Sequence, residues 1–328
     1  MTSSTTLPAT SLLSTNLPST VSKSNQGKTL SLVLGSGGAK GIAHIGVIRC
    51  LEEYGYDIRY VAGSSIGSII GGVYAAGKLE AFADWVCALK KRDVLRLLDF
   101  SFSKGAIFKG DRIIDVLRDL IGECQIQDLP IGYTAVATDI ARGGKGNEIW
   151  FNEGSLYQAM RASMAVPSFF SPVIIEGRVL VDGGIINPVP VAPTLNDRTD
   201  ITIAVDLNGP YDRKLDIEPP EEEKPVNPLL AAYEGSIGQF LDQIWPDDAS
   251  DVSDEPEQLG ASDVMLRSME AMQAAITQFK LAATVPTHII EIPCNLCSFL
   301  DFHRAEELIE IGYQHAQELL KEMDEAER

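Results

Sequence analysis

The chain has no run of apolar residues approaching the roughly 20 needed to cross a bilayer. Basic residues are few: 27 Lys and Arg stand against 46 Asp and Glu, a formal charge of −19. That imbalance argues against a nucleic-acid partner, which would need a basic face. It also argues against docking on anionic lipid by charge alone. Cysteine is sparse, at Cys50, Cys87, Cys124, Cys294 and Cys297. An odd, scattered set is no disulfide framework and points to a reducing compartment. Residues 1–28 lack the basic start and apolar centre of a secretory signal and are rich in Ser and Thr. They are expected to be a disordered leader, and the expected location is cytoplasmic, with peripheral membrane contact left open.

What is present is a chain with ample material for a core, 45% apolar over 328 residues. The acidity is uneven. Between Tyr211 and Gly260 there are 14 acidic and 3 basic residues, more than half of the excess. This stretch, with its prolines, predicts an exposed acidic insertion at about 207–262. Within it, Leu230, Tyr233, Ile237, Leu241 and Ile244 recur at helical spacing. Such a face suits packing on its own domain best, and a mobile lid or a lipid contact less well.

Upstream the pattern is more regular. Thr29 to Leu34 reads as a buried strand, followed by a glycine loop and a helix from about Ile42 to Tyr54. Asp57 to Ala62 is a second strand. A βαβα opening predicts a parallel sheet covered by helices on both faces. Leu79 to Leu98 is one long helix or a helical hairpin, Lys104 to Gly110 a turn-rich link, and Asp111 to Ile121 a helix. Strands follow at Tyr133 to Asp139 and Glu148 to Phe151, and a helix at Ser155 to Ser163. A hairpin turns at Gly177. The last strands are Ile201 to Asp206 and His288 to Ile292, before a terminal helix from Phe302 to Ala326.

Three motifs carry chemistry. The second strand runs into Gly63-Ser64-Ser65-Ile66-Gly67. A Gly-x-Ser-x-Gly turn between strand and helix projects its serine hydroxyl away from the sheet, with the positive end of the helix dipole at the same spot. Ser65 is therefore the candidate nucleophile. The loop Gly35-Ser36-Gly37-Gly38-Ala39-Lys40-Gly41 can turn successive N–H groups towards one point, as an oxyanion requires. Its competing reading, a dinucleotide fingerprint, fails at the third glycine, where Lys40 stands. Asp182-Gly183-Gly184 ends an apolar strand, and a carboxylate there can serve as general base. Asp-Gly is also an ordinary hairpin turn. Of the four histidines, His44 follows the glycine loop as a core or supporting residue. A triad would need His288, His303 or His315, none of which carries a motif, so a Ser-Asp dyad is favoured. His288, Cys294, Cys297 and His303 have no common zinc spacing and are not expected to bind metal. Asp139, Arg161 and Asn187 sit at element ends, where they would orient the dyad or merely cap and turn the chain.

These motifs together resemble the bacterial patatin-like phospholipase family. The likeness lies in Leu32 to Val47, Ala62 to Gly67, Arg161 to Pro167 and Val181 to Gly184 with Asn187-Pro188, and again from Asp301 to Tyr313. The resemblance implies a three-layer α/β/α, modified α/β-hydrolase-like fold with a mainly parallel sheet, a hydrolase domain at 29–328. It implies Ser65 as nucleophile, Asp182 as base, and an oxyanion hole from Gly37, Gly38 and the N–H of Ile66. Gly35, Lys40, Gly41, Gly63, Gly67, Gly183 and Gly184 complete the motifs. The implied activity is hydrolysis of acyl esters of phospholipids or lysophospholipids without metal or cofactor. A small-ester hydrolase or acyltransferase would use the same dyad, and a lipid-binding regulator on this scaffold is the alternative outside enzymes. Two positions depart from the family: Ser36 replaces a motif glycine, and Lys40 replaces its usual arginine, keeping the charge without the planar fork.

Overall fold

The structure is a computed structural model that describes residues 27–97, 106–141, 146–215 and 261–326. Its centre is an eight-stranded sheet in the order β10-β9-β1-β2-β4-β8-β7, with β5 paired to β4. The strands are β1 (Thr29–Leu34), β2 (Asp57–Ser64), β4 (Gly132–Asp139), β5 (Asn147–Phe151), β7 (Val173–Ile175), β8 (Arg178–Asp182), β9 (Ile201–Gly209) and β10 (His288–Pro293). Pairings from β10 to β4 are parallel, and β5, β7 and β8 join antiparallel. Parallel strands buried on both faces read as continuous apolar runs, and β1, TLSLVL, is buried from Leu30 to Leu34. The helices are α1 (Ala43–Glu53), α2 (Ile66–Ala75), α3 (Leu79–Cys87), α4 (Lys91–Leu97), α5 (Asp111–Ile121), α6 (Leu156–Ser163), α7 (Ala261–Ala283) and α8 (Ala305–Ala326). Helix α1 meets α8 backbone to backbone: a Cβ on Gly46 would lie 1.8 Å from the Ile309 oxygen, and one on Gly312 1.9 Å from the Ala43 oxygen.

Several boundaries differ from the sequence expectation. The first helix is preceded by a 3-10 turn, Gly38–Ile42, because the glycine loop folds straight into it. Instead of one long helix, residues 79–97 form two, α3 and α4, separated by residues 88–90. Strand β9 extends through Gly209. Of the acidic segment 207–262, residues 216–260 lie outside the described residues, including the 228–245 helix, as do residues 1–26 of the leader.

Three elements were not expected. Strands β3 (Ala106–Phe108), inside the turn-rich link, and β6 (Ser168–Phe170) form a separate parallel pair. Three residues are too short to show a period of two. Helix α7 runs for 23 residues. Its periodicity is blurred because Met265, Met272 and Phe279 are exposed while Met269 and Thr277 are buried.

Candidate active site

Ser65 caps α2 immediately after β2, with φ 55 and ψ −125. A non-glycine residue there is strained by about 1–3 kcal/mol, so the surroundings must hold it. The Ser65 N–H donates to Ser163 Oγ at 3.0 Å, and Ser163 Oγ–H donates to the Val136 carbonyl at 2.6 Å. The Ser65 carbonyl accepts from Ser68 Oγ at 2.7 Å and Ser68 N–H at 2.9 Å. The turn is tight enough that a Cβ on Gly63 would sit 2.4 Å from the Gly67 oxygen, and one on Gly67 2.1 Å from the Leu34 oxygen. Both glycines are therefore steric requirements of the elbow.

Asp182 ends β8 on the other side of β4. Ser64 pairs with Val136 and Asp182 with Ala137, so β4 sets both residues at one level of the sheet. The Asp182 backbone is fixed by its N–H to Ala165 O at 2.9 Å and by Thr138 Oγ1–H donating to its carbonyl at 2.9 Å. Oδ1 accepts from Gly184 N–H at 2.7 Å, whereas Oδ2 is buried without a hydrogen bond. Burial pushes the carboxyl up to about 7, against the opposing pull of the Ser65 hydroxyl and the Gly184 N–H. The Ser65 hydroxyl is thus close enough to act on this carboxyl, although Oδ2 makes no aligned hydrogen bond.

The glycine loop lies over the same spot. Ser36 and Ala39 donate their N–H groups to Pro188 O at 2.9 Å and Phe299 O at 3.0 Å. Between them, Gly37 and Gly38 donate to no backbone oxygen among the described residues. Gly38 has φ +58, and a Cβ there would lie 2.4 Å from the Phe299 ring. Gly41 packs on Ile66, the first residue of α2, which ties the loop to the elbow. Gly35 and Gly183 face the backbone oxygens of Val205 and Val136, each too close to admit a side chain. Lys40 is buried beneath the loop, donating to Cys294 O at 3.2 Å and lying 3.9 Å from Glu270 Oε1 of α7.

Two cavities meet at Ser65. The smaller, about 20 Å³, is lined by Ser65, Asp182, Gly37, Gly38 and polar side chains that include Ser36 and Gln273. The larger, about 100 Å³, begins at Gly38, Ser65 and Ile66 and runs among apolar residues such as Phe82, Trp85, Val94, Phe169 and Phe302. Phe169 packs edge-on against Phe170 and Phe299, with ring centroids 5.0 and 5.4 Å apart.

No histidine lines either cavity. His44 Nε2–H donates to the Gly35 carbonyl at 2.9 Å, and burial lowers its pKa to about 4, so it braces the loop as a neutral ring. Asp139 closes a turn onto Ala141 N–H at 2.9 Å. Arg161 donates to the carbonyls of Lys109 and Ser171 and so pins the β3–β6 pair. Asn187 donates to Glu148. The hydrogen bonds of Asp139 and Asn187 thus run to Ala141 and Glu148, not to Ser65 or Asp182. The supports that sequence reasoning missed are Ser163 and Thr138, and on α7 Glu270 and Gln273. Ser163 lay within the quoted Arg161 to Pro167 motif, but nothing local tied it to Ser65, 98 residues away.

A mixed, mostly parallel sheet flanked by helices, with a strained serine between strand and helix, defines an α/β protein of the serine-elbow class. The patatin-like phospholipase family profile matches residues 32–195. A 38% identical relative, an uncharacterized NTE family protein of Mycobacterium tuberculosis, aligns over 91% of this chain and 93% of its own. The chain belongs to the patatin-like phospholipase family, whose members are lipid hydrolases. The lysophospholipase nte1 of Neurospora crassa is 28% identical over 91% of this chain, which spans 19% of that protein. Among solved structures, VipD from Legionella pneumophila aligns with a TM-score of 0.43 at 15% identity, over 90% of this chain and 67% of that one. Among the described residues no helix is long and apolar enough to cross a membrane.

Proposed function

We propose that the chain hydrolyses carboxylic esters of phospholipids or lysophospholipids through Ser65, Asp182 and an acyl-enzyme. The observation that carries this is the meeting of two cavities at Ser65, one holding a buried carboxyl and main-chain donors, the other almost wholly apolar. The acyl chain lies in the apolar cavity with its carbonyl at Ser65. Ser65 Oγ attacks the carbonyl carbon as its proton passes to Asp182 Oδ2. Charge on the carbonyl oxygen is met by the N–H groups of Gly37, Gly38 and Ile66. The alcohol departs with the proton from Asp182. Water then attacks the acyl ester, its proton goes to Asp182 and on to Ser65 Oγ, and the fatty acid is released. A carboxyl with a pKa near 7 is suited to this traffic.

The apolar lining suits an acyl chain, and the relatives named lysophospholipases favour a single-chain substrate. The test is fatty-acid release from lysophospholipid by wild type, Ser65→Ala and Asp182→Asn. We expect losses of at least about 10³-fold for both variants with folding intact. Release by Ser65→Ala at the wild-type rate would overturn the assignment. A small-ester hydrolase would instead prefer acetate to long-chain esters. A lipid-binding regulator would leave Ser65 unlabelled by a fluorophosphonate.

A further inference from the structure

We propose that Ser36 and Gln273 form the acceptor subsite, the place where the hydrolytic water is held against Asp182. The inference rests on the reading of Ser65 and Asp182 given above. Once an acyl chain fills the apolar cavity and the alcohol has left, the other cavity is the place for the attacking water. That smaller cavity, about 20 Å³, holds roughly one water.

Its wall has the donors and acceptors for that task. The Ser36 side chain is 2% exposed, and its hydroxyl has no hydrogen-bond partner. Asp182 Oδ2 and Asn208 Nδ2, on the same cavity, also lack aligned hydrogen bonds, although the Ser65 hydroxyl lies close enough to lower the Asp182 pKa. Leaving such groups buried and unpaired is costly, and a bound water needs two to four polar partners. The groups also converge. Ser36 Oγ, Gln273 Nε2 and Asp182 Oδ1 lie 2.7, 2.8 and 2.9 Å from the point that a Cβ on Gly184 would occupy. Glycine at 184 keeps that point clear.

Gln273 is held in place from both sides along α7. Glu270, one turn earlier, lies 3.9 Å from Lys40 Nζ beneath the glycine loop. Lys280, two turns later, donates to Glu148 Oε2 at 3.0 Å on β5. Helix α7 therefore sets the Gln273 amide against a loop it does not adjoin in sequence. In deacylation the water oxygen forms the new bond to the acyl carbon and gives its proton to Asp182. The bond from that carbon to Ser65 Oγ breaks, and Ser65 regains the proton. Ser36 and Gln273 fix the water's position throughout and do not exchange protons.

The test uses the full chain and a p-nitrophenyl octanoate burst assay with wild type, Ser36→Ala, Ser36→Gly and Gln273→Leu. A fluorophosphonate rate at Ser65 reports that the nucleophile is intact. The expected result is acylation within about twofold of wild type and deacylation slowed roughly tenfold or more. A burst should then appear, and added methanol should shift the partition between hydrolysis and methanolysis. Equal slowing of both steps would overturn the proposal, because it would make Ser36 an oxyanion donor or a structural residue. So would an unchanged deacylation rate and partition beside normal acylation, which leaves the Ser65–Asp182 reading standing. A wild-type chain that never acylates Ser65 would overturn both.

Discussion

The two cavities share Gly38, Ser65, Val166 and Phe299 and differ in the rest of their lining. The small one packs a buried carboxyl, a hydroxyl, amides and bare glycine backbone around about 20 Å³. The large one offers about 100 Å³ of almost featureless apolar wall. In the first, a displacement of one atom changes which hydrogen bonds exist. In the second, energy follows area, at about 0.8 kcal/mol per buried methylene. On the proposed function, the contrast means that reaction and chain selection can be altered separately, although the side chains of Ser65, Val166 and Phe299 belong to both.

The dyad substitutions should have the largest effect on the polar side. Next comes Gly38→Ala, which puts a methyl group against Phe299 at a backbone angle that disfavours it. With a loop donor displaced, kcat on a short-chain ester should fall about 10²–10³-fold, with far-ultraviolet circular dichroism unchanged. On the apolar side, Val94→Trp fills part of the larger cavity. Its kcat/KM for long-chain esters should fall roughly 10–100-fold, the equivalent of two or three methylenes, while acetate esters are spared. Equal losses on both substrates would erase the distinction between the cavities.

A smaller effect appears in stability. The folded pKa of Asp182 is raised, to about 7, from the ordinary carboxylate value. The folded state therefore holds the proton more tightly than the unfolded state does, and stability falls as pH rises between those values. Above pH 7 the buried charge remains a cost. Asp182→Asn should thus raise Tm at pH 8, by a gain on the order of a few kcal/mol, and change little at pH 4. A scan of Tm against pH for both proteins checks the sign.

Legibility in the sequence followed the range of the interactions. The strands β1 and β2, the elbow and the glycine loop are local, and their glycines stand where the chain itself must turn or pass closely. The Asp182 motif was ambiguous alone, because Asp-Gly also makes hairpins. Only the register of β4 with both neighbours puts it level with Ser65. The supports at Ser163 and Thr138 depend on contacts across 98 and 44 residues, so no short motif could announce them. Helix α7 escaped because its exposed Met265, Met272 and Phe279 break the expected apolar stripe. The Ser36 departure was visible as a substitution, but its unpartnered hydroxyl was not.

The central claim is that Asp182 takes the proton of Ser65, and the rate of Ser65 labelling by a fluorophosphonate as a function of pH tests it most directly. In wild type the rate should rise through pH about 7, as the carboxyl ionises, and the rise should vanish in Asp182→Asn with a far lower plateau. Labelling of Asp182→Asn at the wild-type rate, with the same pH profile, would contradict it.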